Sequence, residues 1–323
     1  MQFLRGRMVT KIALEEHFLC PSTIDYWRPT MVDVAPQKTA HLFACLTDFG
    51  EQRLATMDKA GIARAVLAIA GPGVQAERNT ATAARNARAS NDFLAREVQK
   101  RPDRYSGFAH LAMQDAKAAA AELERCMREF KFCGAMINGH THGKYLDDRS
   151  YDPFWERAAE LSAPIYLHPA DPVAPLPAIA GYNVLARPMW GWGVETGSHA
   201  LRIICGGVFH RYPKAKLLLG HLGETLPFQL WRFDSRSKPY GWNLPKPPSQ
   251  YLKENVWVTM SGMYDAPPVR CSLDALGRDH VMFSSDYPFD SDGAAEFMDT
   301  VPFDESLRAD IAFNNAAKLL GLR

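Results

Sequence analysis

Apolar residues in this chain come in short runs, and between the runs they recur at helical spacing. The runs are KIALEEH (11–17), ARAVLAIA (63–70), YSGFAHLAM (105–113), CGAMING (133–139), APIYLHP (163–169), KLLLGHLG (216–223), VWVTMSG (256–262) and HVMFSSDYP (280–288). Helical segments are expected at 50–61, 79–100, 115–130, 151–161, 197–210, 224–235, 266–277 and 304–320. The runs are continuously apolar, as in strands buried on both faces. Strand–helix alternation implies a parallel sheet. Eight repeats predict an α/β fold, a closed (β/α)8 barrel forming one domain over 1–323. A doubly wound open sheet is the alternative that counting leaves open.

Two connections are too long for plain linkers, 18–49 and 170–196. The first carries Tyr26, Trp27 and Phe43, the second ARPMWGWGVET (186–196). Both follow strand C-termini, where barrels build their sites. Trp27 and Trp190 are therefore candidate substrate-binding walls; packing on the rim or between subunits is the competing reading. SKPYGWNLPKPPSQ (237–250) is a candidate lid or oligomer contact.

Polar residues end several of these apolar runs. The first ends in Glu15-Glu16-His17, the fourth in Asn138, the fifth in His168, the sixth in His221 and the eighth in Asp286. In a barrel these ends converge on one mouth. Imidazoles and carboxylates converging there form a mixed N and O donor set suited to Zn²⁺ or Mn²⁺. Side chains alternate along a strand, so Glu15 and His17 share a side and Glu16 points away. Glu15 and His17 are the expected ligand pair, and Glu16 a structural residue beneath the helices. Each residue alone has a plainer reading: a satisfied core histidine for His168, a helix N-cap for Asp286. The repeated placement is what favours a metal site.

Composition removes other classes. The chain is 47% hydrophobic and 23% charged with a net charge of +1, so no global field favours nucleic acid or an anionic membrane. Six cysteines are scattered without a C-x-x-C pair. The basic start MQFLRGRMVT lacks the apolar stretch of a signal peptide, and no run is long enough to span a bilayer. A cytoplasmic protein is the expectation. GPGVQA (71–76) matches G-x-G-x-x-A, but Pro72 occupies the turn and the next strand supplies no acid, so a dinucleotide site is not expected. HTH (140–142) is an H-x-H that could bind metal but lies beyond the strand and reads as surface loop, and His199, within a helical pattern, reads either as a residue supporting the site's ligands or as a packing residue.

ALEEHF, YLHP, LGHLGE and SSDYPF resemble, in order and spacing, the motifs of the amidohydrolase-2 branch of the amidohydrolase superfamily. The likeness is greatest to its o-hydroxyarylate decarboxylases, the 2,3-dihydroxybenzoate and γ-resorcylate decarboxylases. Asn138-Gly139, GVET..HALR (193–202) and LPFQLWR (226–232) extend it along essentially the whole chain. The resemblance implies a (β/α)8 barrel with one divalent ion, Zn²⁺ or Mn²⁺, ligated by Glu15, His17, His168 and Asp286. It implies a catalytic pair His221–Glu224 with Arg232 beside it, and a homodimer or homotetramer. Asn138 stands where many superfamily hydrolases carry a bridging lysine, which disfavours a two-metal hydrolase. Departures cluster at the pocket: His140 follows the NG where Phe is common, and AIAGPGVQA lacks the Asn usual before its Ala-Pro counterpart.

An ortho-hydroxybenzoate would chelate such an ion through a carboxylate oxygen and the adjacent phenolate. Losing CO₂ requires a proton at the ring carbon bearing the carboxylate, and Asp286 is the candidate acid. His221 and Glu224 would orient the carboxylate end, with Arg232 holding Glu224 or His17. Hydrolysis of a lactone or amide by an activated water is the alternative, and a barrel that only binds an aromatic ligand is a third.

Overall fold

A computed structural model describes residues 8–291 and 293–322; most of the basic start, residues 1–7, lies outside them. Nine parallel strands are described: β1 (Lys11–Phe18), β2 (Ile62–Ile69), β3 (Tyr105–Gly107), β4 (Ala109–His110), β5 (Ala135–Asn138), β6 (Pro164–His168), β7 (Lys216–Leu219), β8 (Val256–Thr259) and β9 (Val281–Met282). They pair in order as β1-β2-β3 and β4-β5-β6-β7-β8-β9. β3 and β4 are two halves of one stave: Phe108 between them gives its N–H to Leu67 at 2.9 Å, and Ala109 gives its own to Gly134 at 2.8 Å. The eight apolar runs are thus eight staves of a (β/α)8 barrel.

The seam between the last stave and the first has few backbone bonds. His17 N–H donates to the Tyr287 carbonyl at 2.8 Å, and Glu15 N–H to Ser284 Oγ at 2.7 Å. Ser285 adds N–H and Oγ–H bonds to Glu16 at 3.0 and 2.8 Å. Glu16 therefore has the structural place expected of it. Burial holds its carboxyl up at about 7, against the hydrogen bonds from Ser285 and the charge of Arg53.

The barrel carries two apolar layers. Ala13, Leu67, Ile137, Ile165, Leu167, Leu217 and Leu219 face outward onto Leu94, Leu123, Trp155 and Ile203 of the helices. Ile12, Leu14, Val66, Ala68, Phe108, Met136, Tyr166, Leu218 and Met282 face inward, with Ala316 of the C-terminal helix packed against them. Each Val, Leu, Ile, Phe or Met side chain among them contributes about 1.5–3 kcal/mol of burial.

Several boundaries differ from the sequence-based expectation. The connection 18–49 holds helices Ile24–Trp27 and Pro36–Thr47, so it is a built wall. The helix expected from 197 begins at Gly191, shortening the second long loop. The one expected over 224–235 is replaced by a turn and a helix Leu230–Ser237. No helix among the described residues is long and apolar enough to cross a membrane.

Candidate metal centre

β1 does not keep strict alternation. Its register against β2 shifts between Ala13 and Glu16, a bulge that inserts one residue into the phase. Below the bulge Ile12 and Leu14 face inward; above it Glu15 and His17 do. One stave thus supplies both the apolar floor and two polar groups of the mouth.

Glu15, His17, His168 and Asp286 each offer one ligand atom, and these atoms lie within 4.8 Å of one another. His168 Nε2 is 3.3 Å from Glu15 Oε1, and His17 Nε2 is 3.2 Å from Asp286 Oδ1. Glu15 Oε1, His17 Nε2 and Asp286 Oδ1 are buried without a hydrogen-bond partner among the described residues. Unpaired buried carboxylate oxygens beside unprotonated imidazole nitrogens are what a divalent cation would satisfy. Burial lowers His17 and His168 to about 4, so both rings are neutral donors at pH 7. His168 Nδ1 lies 2.9 Å from the Pro169 carbonyl; that bond places the proton on Nδ1 and frees Nε2. Burial and then the charge of Glu15 hold the Asp286 carboxyl well above its usual range. The donor set therefore fits one divalent ion.

The other oxygen of Glu15 is fully engaged. Tyr166 donates to Oε2 at 2.5 Å and Ser261 donates to the same atom. Thr259 Oγ1 is 2.7 Å from the Tyr166 hydroxyl and 3.2 Å from Ser261 Oγ. This buried chain fixes the carboxylate so that only Oε1 faces the mouth. Gly220 makes room for it, since a Cβ there would come 2.9 Å from Glu15 Oε2. Sequence reasoning passed over Tyr166, Thr259 and Ser261. The signal was period two: Tyr166 precedes His168 by two, and Trp257, Thr259 and Ser261 alternate inward.

After Gly220 the chain takes an unusual path. His221, Leu222, Gly223, Glu224 and Thr225 have φ of 50°, 53°, 79°, 54° and 68°, a left-handed turn. Each non-glycine residue there costs about 1–2 kcal/mol. The turn brings His221 Nδ1 within 2.8 Å of Glu224 Oε1. Burial alone would lower the His221 ring, but the Glu224 and Glu15 carboxylates raise it to about 10, an imidazolium at neutral pH. Gly262 keeps space beside it, because a Cβ there would come 3.0 Å from His221 Cδ2.

The remaining candidates are distributed unevenly. Asn138 lies opposite His168 in the β5–β6 register, with both side-chain polar atoms buried and unpartnered among the described residues. Trp27 is 2% exposed in a satellite core with Leu19, Leu42 and Leu46, so it packs the wall instead of lining the opening. Trp190 is half exposed at the start of the helix Gly191–Cys205. Arg232 is an exposed residue of the helix Leu230–Ser237, and its guanidinium bonds neither Glu224 nor His17. The partner expected for it is absent because the left-handed turn ends the site at Glu224 and leads that helix outward. Phe289, edge-on to His17 at 5.6 Å between ring centres, forms a wall that sequence reasoning did not name. His199 Nε2 accepts the Leu146 N–H at 2.8 Å, which is the packing alternative of its two readings. His140 and His142 stand in the loop after β5.

The pattern of the amidohydrolase family matches residues 47–322. The chain belongs to the amidohydrolase family. A gamma-resorcylate decarboxylase of Polaromonas sp. is 38% identical over 331 residues, covering 97% of this chain and 98% of that one. The crystal structure of a 2,6-dihydroxybenzoate decarboxylase complexed with 2,6-dihydroxybenzoate superposes with a TM-score of 0.90 at 35% identity, covering 98% of this chain and 100% of that chain. A dihydroxybenzoic acid decarboxylase from Polaromonas sp., with bound manganese and the inhibitor 2-nitroresorcinol, does so at 0.90 and 37%, covering 98% of each.

Proposed function

We propose that this chain is a metal-dependent, non-oxidative decarboxylase of an ortho-hydroxybenzoate, a carboxy-lyase releasing CO₂ and a phenol. The observation that carries this is the quartet Glu15, His17, His168 and Asp286, set beside the His221–Glu224 pair in a chain so similar to hydroxybenzoate decarboxylases. The quartet would hold one divalent ion. Two imidazoles and two carboxylates without a thiolate suit Mn²⁺ or Zn²⁺. When bound, the ion supplies a Lewis-acid template that orients the aromatic acid.

The chain's own residues do the rest. Glu15 and His17 are wholly buried, whereas the Asp286 side chain keeps 15% exposure toward the mouth. Asp286 is therefore the acid that can meet a substrate. It gives its proton to the ring carbon bearing the carboxylate; the carbon–carbon bond then breaks, its electron pair restores the aromatic ring, and CO₂ leaves. Asp286 regains a proton from water. His221, as an imidazolium held by Glu224, orients the carboxylate that will leave. Asn138 contacts the ring's substituents, and Trp190 stands at the rim.

The same reading takes the chain as one barrel domain in a cytoplasmic homodimer or homotetramer. Six free cysteines support the compartment. The exposed Phe228, Trp231 and Tyr240, with Arg232 beside Trp231 on the helix Leu230–Ser237, support a subunit contact. Light scattering checks the assembly.

The test is a panel of hydroxybenzoates, lactones and amides offered to protein loaded with Mn²⁺ or Zn²⁺. CO₂ and a phenol from a hydroxybenzoate are expected. Lactone or amide opening with no CO₂ from any hydroxybenzoate would replace this reading by hydrolysis. Asp286→Asn with both metal and wild-type turnover retained would remove Asp286 as the proton donor.

A further inference from the structure

The stretch GPGVQA, which has no dinucleotide role, is built into the mouth. Its turn Gly73–Ala76 sits over the short stave β3–β4. His110, the last residue of β4, accepts the Val74 N–H through Nε2 at 2.9 Å. Gly73 has φ of 56°, and a Cβ there would run into the His110 ring. The turn is thereby pegged to the top of that stave.

From the peg, Gln75 reaches sideways to β5. Its Oε1 accepts the Asn138 N–H at 2.6 Å. Its Nε2 lies 3.3 Å from the Asn138 carbonyl, 3.4 Å from those of Gly139 and His140, and 3.1 Å from Thr141 Oγ1. β4 pairs with β5 only at Ala135 and Met136, so the β5 edge above them has lost its neighbouring strand. The Gln75 amide takes that strand's place. At 4% exposure it works without competition from water.

What Gln75 holds is a residue of the mouth whose side chain is wholly unsatisfied among the described residues. Asn138 shares the inward phase of Met136, and neither its Oδ1 nor its Nδ2 has a partner among the described residues. Leaving such a buried amide unpaired is unfavourable, so a ligand group is expected to pair it. Gly71 backs it closely: a Cβ there would come 3.1 Å from Asn138 Oδ1.

We propose that Gln75 is a positioning residue that fixes Asn138 so its carboxamide presents donor and acceptor together to a hydroxyl on the substrate ring. A hydroxyl accepts from Nδ2 and donates to Oδ1 at once. An ionised carboxylate in that place only accepts and opposes Oδ1. The mouth therefore selects a dihydroxybenzoate over a ring lacking that hydroxyl. The inference rests on the decarboxylase reading for its substrate class.

The test compares wild type, Gln75→Met, Gly71→Ala, Asn138→Ala and the Gln75→Met/Asn138→Ala double variant, all loaded with Mn²⁺. KM and kcat are measured on 2,6-dihydroxybenzoate and 2-hydroxybenzoate, and binding of both by calorimetry. Gln75→Met is expected to raise KM for the dihydroxy acid about tenfold, the size of one lost neutral hydrogen bond, with kcat nearly unchanged. The monohydroxy acid should not respond. In the Asn138→Ala background the Gln75 effect should vanish, because Gln75 acts only through Asn138. Gly71→Ala pushes the same amide from the other side and should give the same signature, which covers a Gln75 variant that fails to fold. Equal losses on both acids, or a Gln75 effect of full size without Asn138, overturn the proposal. If wild type binds the dihydroxy acid but releases no CO₂, the decarboxylase reading fails, and the affinities alone judge Gln75 by the same criteria.

Discussion

The floor and the mouth of the barrel are made from the same staves and obey opposite rules. On the floor, Ile12, Leu14, Val66, Met136, Leu218 and Met282 fill space and ask for nothing but contact. A few residues further along, Glu15 Oε1, His17 Nε2, Asp286 Oδ1 and both polar atoms of Asn138 are buried and have no hydrogen-bond partner among the described residues. The backbone differs too: His221, Leu222, Glu224, Thr225 and Asp286 all have positive φ at the mouth. Local preference shapes the floor. At the mouth the surrounding packing overrides it, and a bound ion and substrate are what the arrangement is complementary to.

The largest expected effect comes from breaking the mouth. Glu15→Gln or His168→Ala should empty the metal site and lower turnover by at least about 1,000-fold, read by metal analysis and CO₂ release. Glu15→Gln should also lower the stability of the metal-free protein, because, although burial opposes it, the charge of His221 holds the Glu15 carboxyl below its usual range in the fold. Thermal melting in chelator decides that point. A floor variant should cost stability alone. Leu218→Ala should lower stability by about 2–5 kcal/mol in urea unfolding while turnover per folded molecule stays near wild type.

Acid should find the peg under the mouth. Burial depresses His110 to about 4 in the folded chain, against 6.5 for the free group. Its stabilisation is therefore present above pH 6.5 and is lost as pH falls from there toward 4. The full size is about 3 kcal/mol, and a His110→Gln variant should show a flatter curve in chelated protein. The smallest expected change is at the junction of the two regions. Tyr166→Phe removes one bond to Glu15 Oε2 and should weaken metal binding by about 10–100-fold with little loss of stability.

The staves and most of the polar groups were legible in the sequence. Continuous apolar runs ending in Glu15, His17, His168 and Asp286 locate the converging ends, because strand phase and barrel geometry are both periodic. What was illegible came from departures from period. The bulge between Ala13 and Glu16 changes phase without a glycine or proline to mark it. The left-handed turn at His221 runs through residues that disfavour it, so a regular helix was the natural expectation for 224–235. Arg232 was placed beside Glu224 by the family resemblance alone, and the helix Leu230–Ser237 leaves it exposed. Gln75 was invisible because its partners lie about 63 positions away on β5, a separation no local pattern carries.

The seam of the barrel has a consequence for assembly. β1 and β9 meet through side chains of Ser284 and Ser285 and few backbone bonds. The ligands on either side of that seam are Glu15 and His17 from the first stave and Asp286 from the last. An ion bound there would act as a clasp across a chain segment of some 270 residues, a closure that is entropically demanding for a free chain. During synthesis the first two ligands emerge long before the last, and the intervening staves must be in place before the quartet exists. Metal loading is then a late event that reports a finished barrel, and an ion already captured would resist the parting of the first stave from the last.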